Sequence, residues 1–307
     1  MLKECLQSIL NQSFADFEII VGNDYTQQHL TYNTIGVKDS RIRIINNAIN
    51  LGELNNMNAL LAASQGRYFT WLADDDMYMP HYLSTVRDAL LMFDFTKVVF
   101  TSYSQGDKMC GTIVKDQGGI TCISGQQFLS GYLSNQYKAI GCYGVFNAKY
   151  LKQIGGMEQL GDGFSPYSDN LLAIRAGMLN KVVYINRELI FFRIHDQSLS
   201  STSGDVKSYS SAQRDLFKKY IEMVDTTELE NNCNHNTFRL INLFILHFFE
   251  ALKRSEQVLI FEVFKYFVFI IGALKFLKTY RVKTVFKFFR NIKDLIKHWI
   301  SKKVLLH

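Results

Sequence analysis

The sequence predicts an α/β fold: a mostly parallel sheet with helices on both faces, followed by a helical C-terminal region. Three observations predict it. Between residues 17 and 102, short apolar runs alternate with helix-period segments, the pattern of strands joined by helical crossovers. The triplet Asp74-Asp75-Asp76 directly follows the apolar run 68–72. Three mutually repelling carboxylates thus stand where open α/β sheets hold their ligands, just past the carboxyl end of a strand. After the Ser-rich stretch 198–211 the strand signal disappears.

In chain order, Leu2, Cys5, Leu6, Ile9 and Leu10 share one helical face over residues 2–11. Residues 17–21 read as a buried strand that ends at Asn23-Asp24, and 41–46 as a second strand. A helix over 54–65 is expected to stop at Gly66, a residue suited to a C-cap. The strand 68–72 and the triplet follow, and Pro80 suits the first turn of a helix running to Phe93. Residues 97–102 read as a strand, 141–146 as another, and 148–154 as a short helix ended by Gly155-Gly156. Residues 160–167 read as a loop. Ser168 is placed to cap a helix over 169–179, and 181–185 and 189–192 read as two further strands. Beyond the Ser-rich stretch, 208–225, 235–254, 256–279 and 280–303 read as helices. The expected division is 1–204 for the α/β part and 205–307 for the helical region.

With 48% apolar residues the 307-residue chain can bury a sizeable core. Its five cysteines are scattered, odd in number and free of any C-x-x-C, which fits a reducing compartment and excludes a disulfide framework. The start, Met1-Leu2-Lys3-Glu4-Cys5, opens on a helix pattern, so no signal peptide is expected. The net charge of +6 hides an asymmetry: residues 251–307 carry 13 Lys/Arg against 3 Asp/Glu, the remainder 21 against 25. An acidic body with a basic tail points to two jobs in two regions.

A carboxylate cluster at a strand's carboxyl end is a way to hold a hard divalent cation, Mn²⁺ or Mg²⁺, that bridges phosphate oxygens. The plain alternative is an acidic turn. Other segments surround the triplet with a recognisable order. Leu6-Gln7-Ser8-Ile9-Leu10-Asn11-Gln12-Ser13-Phe14 comes first, then Phe17-Glu18-Ile19-Ile20-Val21-Gly22-Asn23-Asp24. Asn50-Leu51-Gly52, Asn58-Ala59-Leu60 and Ala63-Ser64-Gln65-Gly66-Arg67-Tyr68 lead into the triplet. Ser168-Asp169 and Phe192-Arg193-Ile194-His195-Asp196-Gln197-Ser198-Leu199-Ser200 follow it. In this order, over about residues 2–200, the chain resembles the family 2 glycosyltransferases, which have the GT-A fold.

The resemblance implies an inverting glycosyltransferase, with roles residue by residue. Asp24 contacts the uracil or ribose of a nucleotide sugar, and Asn58 is a further candidate for the donor site. Asp74 faces the ribose or diphosphate. Asp75 is the main metal ligand and Asp76 a second. His195 approaches the metal or diphosphate from the far side, and Asp169 is the catalytic base. The chemistry is consistent, since a cation neutralises the diphosphate leaving group and a carboxylate on the opposite face takes the acceptor proton. Each residue has a simpler alternative. Asp169 can be a first-turn carboxylate favoured by the helix dipole, His195 a satisfied loop histidine, Asn58 a local cap, and Asp24 a turn residue.

The chain departs from the family in two ways. The family's first strand and its Pro-x-Tyr-Asn loop have no counterpart, since Met1 falls at the start of the first helix. Either the true start lies upstream or the chain is truncated, and a missing central strand would leave a neighbour unpaired. Asn23, Ala73 and Ser168 also stand where acidic residues are common in the family.

From Phe261 onward aromatic and basic residues interleave, as in Val285-Phe286-Lys287-Phe288-Phe289-Arg290. The longest uncharged run, 266–274, is too short to cross a bilayer of ~30 Å. Such helices suit an anionic membrane interface, or else pack as an ordinary bundle. Nucleic acid is not expected, because no RNA- or DNA-binding motif accompanies the charge. The expected protein is therefore a hexosyl- or N-acetylhexosaminyl-transferase, cytoplasmic and peripheral on the inner face of the membrane. It would use a UDP-sugar donor and a glycan or lipid-linked acceptor of envelope polysaccharide synthesis. The rivals are a catalytically inactive binding or scaffold protein of the same fold, and a hydrolase of nucleotide sugars.

Overall fold

The computed structural model describes residues 1–108, 116–163, 165–196, 206–225, 230–254 and 260–274. They form two compact units. The first holds Met1–Gln159 and Ser168–Thr202, the second Leu160–Tyr167 and Ser203–His307.

The first unit opens with helix α1 (Leu2–Leu10), which buries Cys5 and Leu6 on the expected face. Strands β1 (Ile19–Asn23) and β2 (Ile42–Asn46) pair in parallel, with the short helix α2 (Tyr32–Ile35) between them. Helix α3 (Glu53–Ala63) follows. It ends at Ser64 in an extended conformation rather than at Gly66, because Gln65 and Gly66 donate their N–H groups to Glu18 Oε1 instead of continuing the helix.

The expected strand 68–72 is ladder-bonded only over β3 (Tyr68–Phe69). Then come β4 (Met77–Tyr78), α4 (Tyr82–Met92), β5 (Val98–Gly106), β6 (Asp116–Ile123) and α5 (Gly125–Leu133). Residues Gly141–Tyr143 make a 3₁₀ turn, so the run expected as one strand is a turn plus β7 (Val145–Asn147). Helices α6 (Ala148–Gln153) and α7 (Ser168–Gly177) precede β8 (Val182–Arg193), a single strand where two were expected.

The larger sheet has the order β3-β7-β5-β8-β4, with β6 also on β8. It is mixed: β5 runs parallel to β8, whereas β7 and the β4 and β6 partners of β8 run antiparallel. The length of β8 lets β6 pair with its first half and β4 with its end. Periodicity marks a buried strand but not its direction, which is why the sequence read as mostly parallel.

Among the described residues no strand joins β1–β2 to the larger sheet. The two pieces are held together from both faces. On one face α3 spans the seam: Gly22 of β1 lies under Asn56 and Leu60, and Trp71 Nε1 donates to Met57 O at 2.9 Å. On the other face Ile9 of α1 packs into both cores. Gln12 bonds Met79 O and Leu83 N, and Cys5 Sγ donates to Ala73 O at 3.5 Å.

The second unit contains α8 (Val206–Asp225), α9 (Glu230–Arg254) and α10 (Ile260–Leu274). The helix expected at 280–303 lies outside the described residues. Phe244, Phe248, Tyr266 and Ile270 are buried in the unit, and Phe248 stacks on Tyr266 at 3.6 Å. Gln213 donates to both Tyr167 Oη and Phe244 O, joining the loop before α7 to this bundle. No described helix is long and apolar enough to cross a membrane.

Candidate active site

The carboxylates gather at the carboxyl ends of the strands. Asp24, just past β1, is an anchor: Oδ1 accepts from Leu51 N at 2.7 Å and Asn47 Nδ2 at 3.0 Å, and Oδ2 from Gly52 N at 2.8 Å. Gly52 has φ 78°, a conformation glycine adopts freely, and it turns the chain directly into α3. Asp24 thus shapes the loop 47–52 that leads into α3.

The triplet does not act as a unit. Asp74 is exposed and Asp75 half-buried, while Asp76 is 1% exposed. Tyr143 donates its hydroxyl to Asp76 Oδ2, and Arg193 N–H donates to Oδ1 at 2.8 Å. Burial pushes the Asp76 carboxyl up to about 6, against the lowering effect of those two bonds. Both oxygens of Asp76 are committed inside the protein, so the expected second-ligand role requires one of these bonds to be exchanged. In place, Asp76 ties the triplet to the end of β8. Arg193 continues outward to Glu4 Oε2 at 2.8 Å, a contact that lowers the Glu4 carboxyl.

That tie brings His195 to Asp75. Its Nε2 lies 2.9 Å from Asp75 Oδ2, across 120 residues of sequence. A carboxylate and an imidazole in direct contact would supply two ligands if a divalent cation took the place of their hydrogen bond. The residues therefore fit such an ion, although no cluster of three His, Cys, Asp or Glu ligands occurs among the described residues.

Asp169 lies in the first turn of α7. Gly141 N–H donates to its Oδ2 at 3.3 Å. Position 141 has no room for a side chain, since a Cβ would lie 1.8 Å from Asp169 O. Oδ1 is buried without a hydrogen-bond partner. Desolvation pushes the carboxyl up to about 6, opposed by the Gly141 bond and assisted by the charge of Glu53. Glu53, at the start of α3, is itself raised by partial desolvation although its side chain still reaches solvent. Ser168, expected to cap α7, instead donates its hydroxyl to Glu158 O at 2.7 Å.

Asn58 is used up elsewhere. Its Nδ2 donates to Met157 O at 2.7 Å and its Oδ1 accepts from Met157 N at 2.9 Å. The amide pairs with the backbone of one residue in both directions and pins α3 to the turn after α6.

Three contributors escaped the sequence reading. Glu53 follows the Asn50-Leu51-Gly52 run by one position and was open to notice. Gly141 and Tyr143 carried no signal, because their role depends on a turn that meets α7 and the triplet only in three dimensions.

Residues 1–117 match the family described as Glycosyl transferase family 2. An uncharacterized glycosyltransferase of Haemophilus influenzae is 37% identical over 89 residues, 28% of this chain and 27% of that protein. The Escherichia coli protein WfaP, a UDP-Glc:alpha-D-GlcNAc-diphosphoundecaprenol beta-1,3-glucosyltransferase, is 33% identical over 32% of this chain and 38% of its own length. The aligned stretches thus span about a third of these relatives. The crystal structure of S. aureus TarS 1-349 in complex with UDP-GlcNAc superposes with a TM-score of 0.65 at 13% identity, covering 90% of this chain and 77% of that one. Its likeness is one of fold. Residues 1–117 thus match the family described as Glycosyl transferase family 2, and the chain shares with TarS a mixed α/β fold followed by a helical region.

Proposed function

We propose that the chain is an inverting, metal-dependent glycosyltransferase that moves a sugar from a UDP-sugar to a lipid-linked glycan of envelope polysaccharide synthesis. The observation that carries this reading is the presence of two differently prepared carboxylates, one in the turn before β4 and one at the start of α7. Asp75, paired with His195, reaches solvent, whereas Asp169 is desolvated with one oxygen unpartnered. The coarse substrate classes are supported by WfaP and by WfgD of Escherichia coli, both named for UDP-Glc and a diphosphoundecaprenol-linked GlcNAc. A scaffold protein has no use for a carboxylate kept basic by burial.

In this reading Asp24 and its loop receive the nucleoside, and Asp74 faces the ribose or diphosphate. Asp75 and His195 would hold a divalent cation, which supplies charge neutralisation for the departing diphosphate. Asp169 Oδ1 accepts the proton of the acceptor hydroxyl as that oxygen bonds the anomeric carbon. The bond to the diphosphate breaks on the opposite face and its electron pair leaves with UDP. With its carboxyl at about 6, Asp169 is ionised at neutral pH yet more basic than an ordinary aspartate, which suits a general base.

The membrane part of the proposal rests on residues 251–307, with 13 Lys/Arg against 3 Asp/Glu, and on Leu246, Val268 and Ile271, which are exposed on α9 and α10. Each basic residue near an anionic surface contributes about 1 kcal/mol, screened by salt.

The test begins with UDP-sugars and Mn²⁺. Donors that bind the native state raise its melting temperature by mass action, and the best donor is then offered a GlcNAc-diphosphoryl lipid. Transfer with inversion at the anomeric carbon is the expected result. Mn²⁺-independent transfer, retained configuration, or UDP-sugar hydrolysis indifferent to the acceptor would each refute the corresponding part. Sedimentation with anionic liposomes at low salt, reversed at ~0.5 M salt, checks the membrane part. A chain that ignores such vesicles lacks it.

A further inference from the structure

A cleft lies at the end of the larger sheet remote from the triplet, and strand pairing builds it. Tyr68 of β3 stands opposite Asn147 of β7, and Val98 of β5 opposite Phe146. Both pairings are antiparallel, so the residues before β3 and β5 meet the residues after β7. Ala148 N–H donates to Arg67 O at 3.0 Å, and Asn147 N–H to Lys97 O at 2.8 Å. The result is an open cleft of about 680 Å³ between the segment that follows α3 and helix α6. Arg67, Lys149 and Lys152 line it together with Gln65 and Gln153. Lys97 stands beside it, its Nζ over the ring of Tyr150 in α6.

These four cations are exposed, and none takes part in an ion pair among the described residues. Three of them are held by neutral groups instead. The Arg67 guanidinium lies 3.8 Å from the centroid of the Phe95 ring, Lys97 Nζ 5.0 Å from that of Tyr150, and Lys152 Nζ donates to Ser64 O at 3.1 Å. A guanidinium stacked by its face keeps its N–H edge for a ligand. An ammonium that gives one proton to a carbonyl keeps two more. The carboxylate against this segment, Glu18, is committed: Oε1 accepts from Gln65 N and Gly66 N, and Oε2 lies 3.4 Å from Arg43. Asp94, beside Phe95 in sequence, pairs with none of the four. The cations are thus positioned but not neutralised.

We infer that this cleft binds a phosphate-bearing anion, at a site separate from the carboxylates at the other end of β3. An arginine held in a fixed plane takes phosphate oxygens two at a time, and flanking lysines add point charge. Three lining cations match the charge of a diphosphate better than that of a single carboxylate. The amides of Gln65 and Gln153 add neutral donors. Nothing in the cleft depends on the roles of Asp75 or Asp169.

The experiment uses the full chain in EDTA, so that no metal bridges phosphate to the carboxylates. It is titrated calorimetrically with inorganic pyrophosphate at ~50 mM salt. The wild type binds, and Lys149→Gln/Lys152→Gln weakens the binding about tenfold or more. Lys3→Gln/Lys38→Gln, which removes the same charge from exposed positions outside the cleft, stays within about twofold. The Mn²⁺-dependent affinity for UDP and the melting temperature are unchanged in both variants. Sedimentation with vesicles of phosphatidylglycerol in phosphatidylcholine separates the sources of the phosphate. A lipid headgroup as ligand gives the cleft variant a loss of vesicle binding that the control variant lacks; a soluble anion leaves the two variants equal. The inference is overturned if pyrophosphate does not bind the wild type, if the cleft variant binds it as the wild type does, or if the control loses as much. Loss of UDP affinity in the cleft variant overturns it too, since the site is then not separate.

Discussion

The two sides of the site are built in opposite ways. Around Asp24, Asp74 and Asp75 the carboxylates lie at loop ends, exposed or half-buried, and backbone N–H groups or an imidazole meet them. Around Asp169 the carboxylate is partly desolvated, with one weak backbone bond and a neighbouring Glu53 that repels its charge. Charge that must grip a phosphate-bearing ligand has to be presented. Charge that must take a proton has to be kept from water, because desolvation supplies its basicity. One residue type serves both purposes, and only the surroundings tell them apart.

The comparison breaks most completely at Asp75. Asp75→Asn is expected to reduce transfer to the detection limit and to remove the Mn²⁺ dependence of UDP binding, read by turnover and by calorimetry. Metal-dependent turnover that survives would place the cation elsewhere.

The opposite side should fail differently. Asp169→Asn is expected to leave UDP-sugar affinity nearly intact while lowering the rate at saturation by roughly 10²–10⁴-fold. If affinity collapses and turnover persists, Asp169 is a binding residue and the contrast drawn above is wrong.

A pH profile sharpens the same point. The base acts deprotonated, so kcat/KM should fall about tenfold per unit as pH drops below the Asp169 value of about 6. Glu53→Gln should move that limb to lower pH, because the charge of Glu53 raises Asp169. A flat profile down to pH 4.5 would exclude the assignment. Stability carries the opposite sign. Between about pH 4 and 6 the folded state holds the Asp169 proton more tightly than the unfolded state, so stability falls as pH rises through that window. Asp169→Asn removes the penalty and should stabilise the chain at pH 7.5 by about 1–3 kcal/mol, read by denaturant titration.

The smallest effect concerns Asn58. Asn58→Ala strands two backbone groups of Met157 and should cost about 1–3 kcal/mol, with donor affinity unchanged in the folded fraction. A selective loss of donor affinity would restore the substrate role that the sequence suggested for it.

Much of the fold was legible. The helical face of Leu2, Cys5, Leu6 and Ile9, the strand ending at Asn23, the start of β5 and the onset of α7 all followed from local periodicity and turn chemistry. Strand direction and extent did not follow. The run 68–72 is strand-like throughout, yet only Tyr68 and Phe69 find a ladder partner, in β7. Beyond them the chain is extended, and among the described residues no neighbouring strand pairs with it.

The chemistry divides along the same line. Residue types and their order along the chain determined the resemblance to a family, the cluster of carboxylates and the basic character of the tail, because these are properties of local composition and spacing. Tertiary structure alone decided which carboxylate does what. Asp76 turned inward because Tyr143 and Arg193 meet it there. Asp75 turned to His195 across 120 intervening residues, and Asp169 was partly desolvated beneath a glycine turn. Desolvation and hydrogen bonding set the working charge of an aspartate, and both depend on neighbours that are distant in sequence.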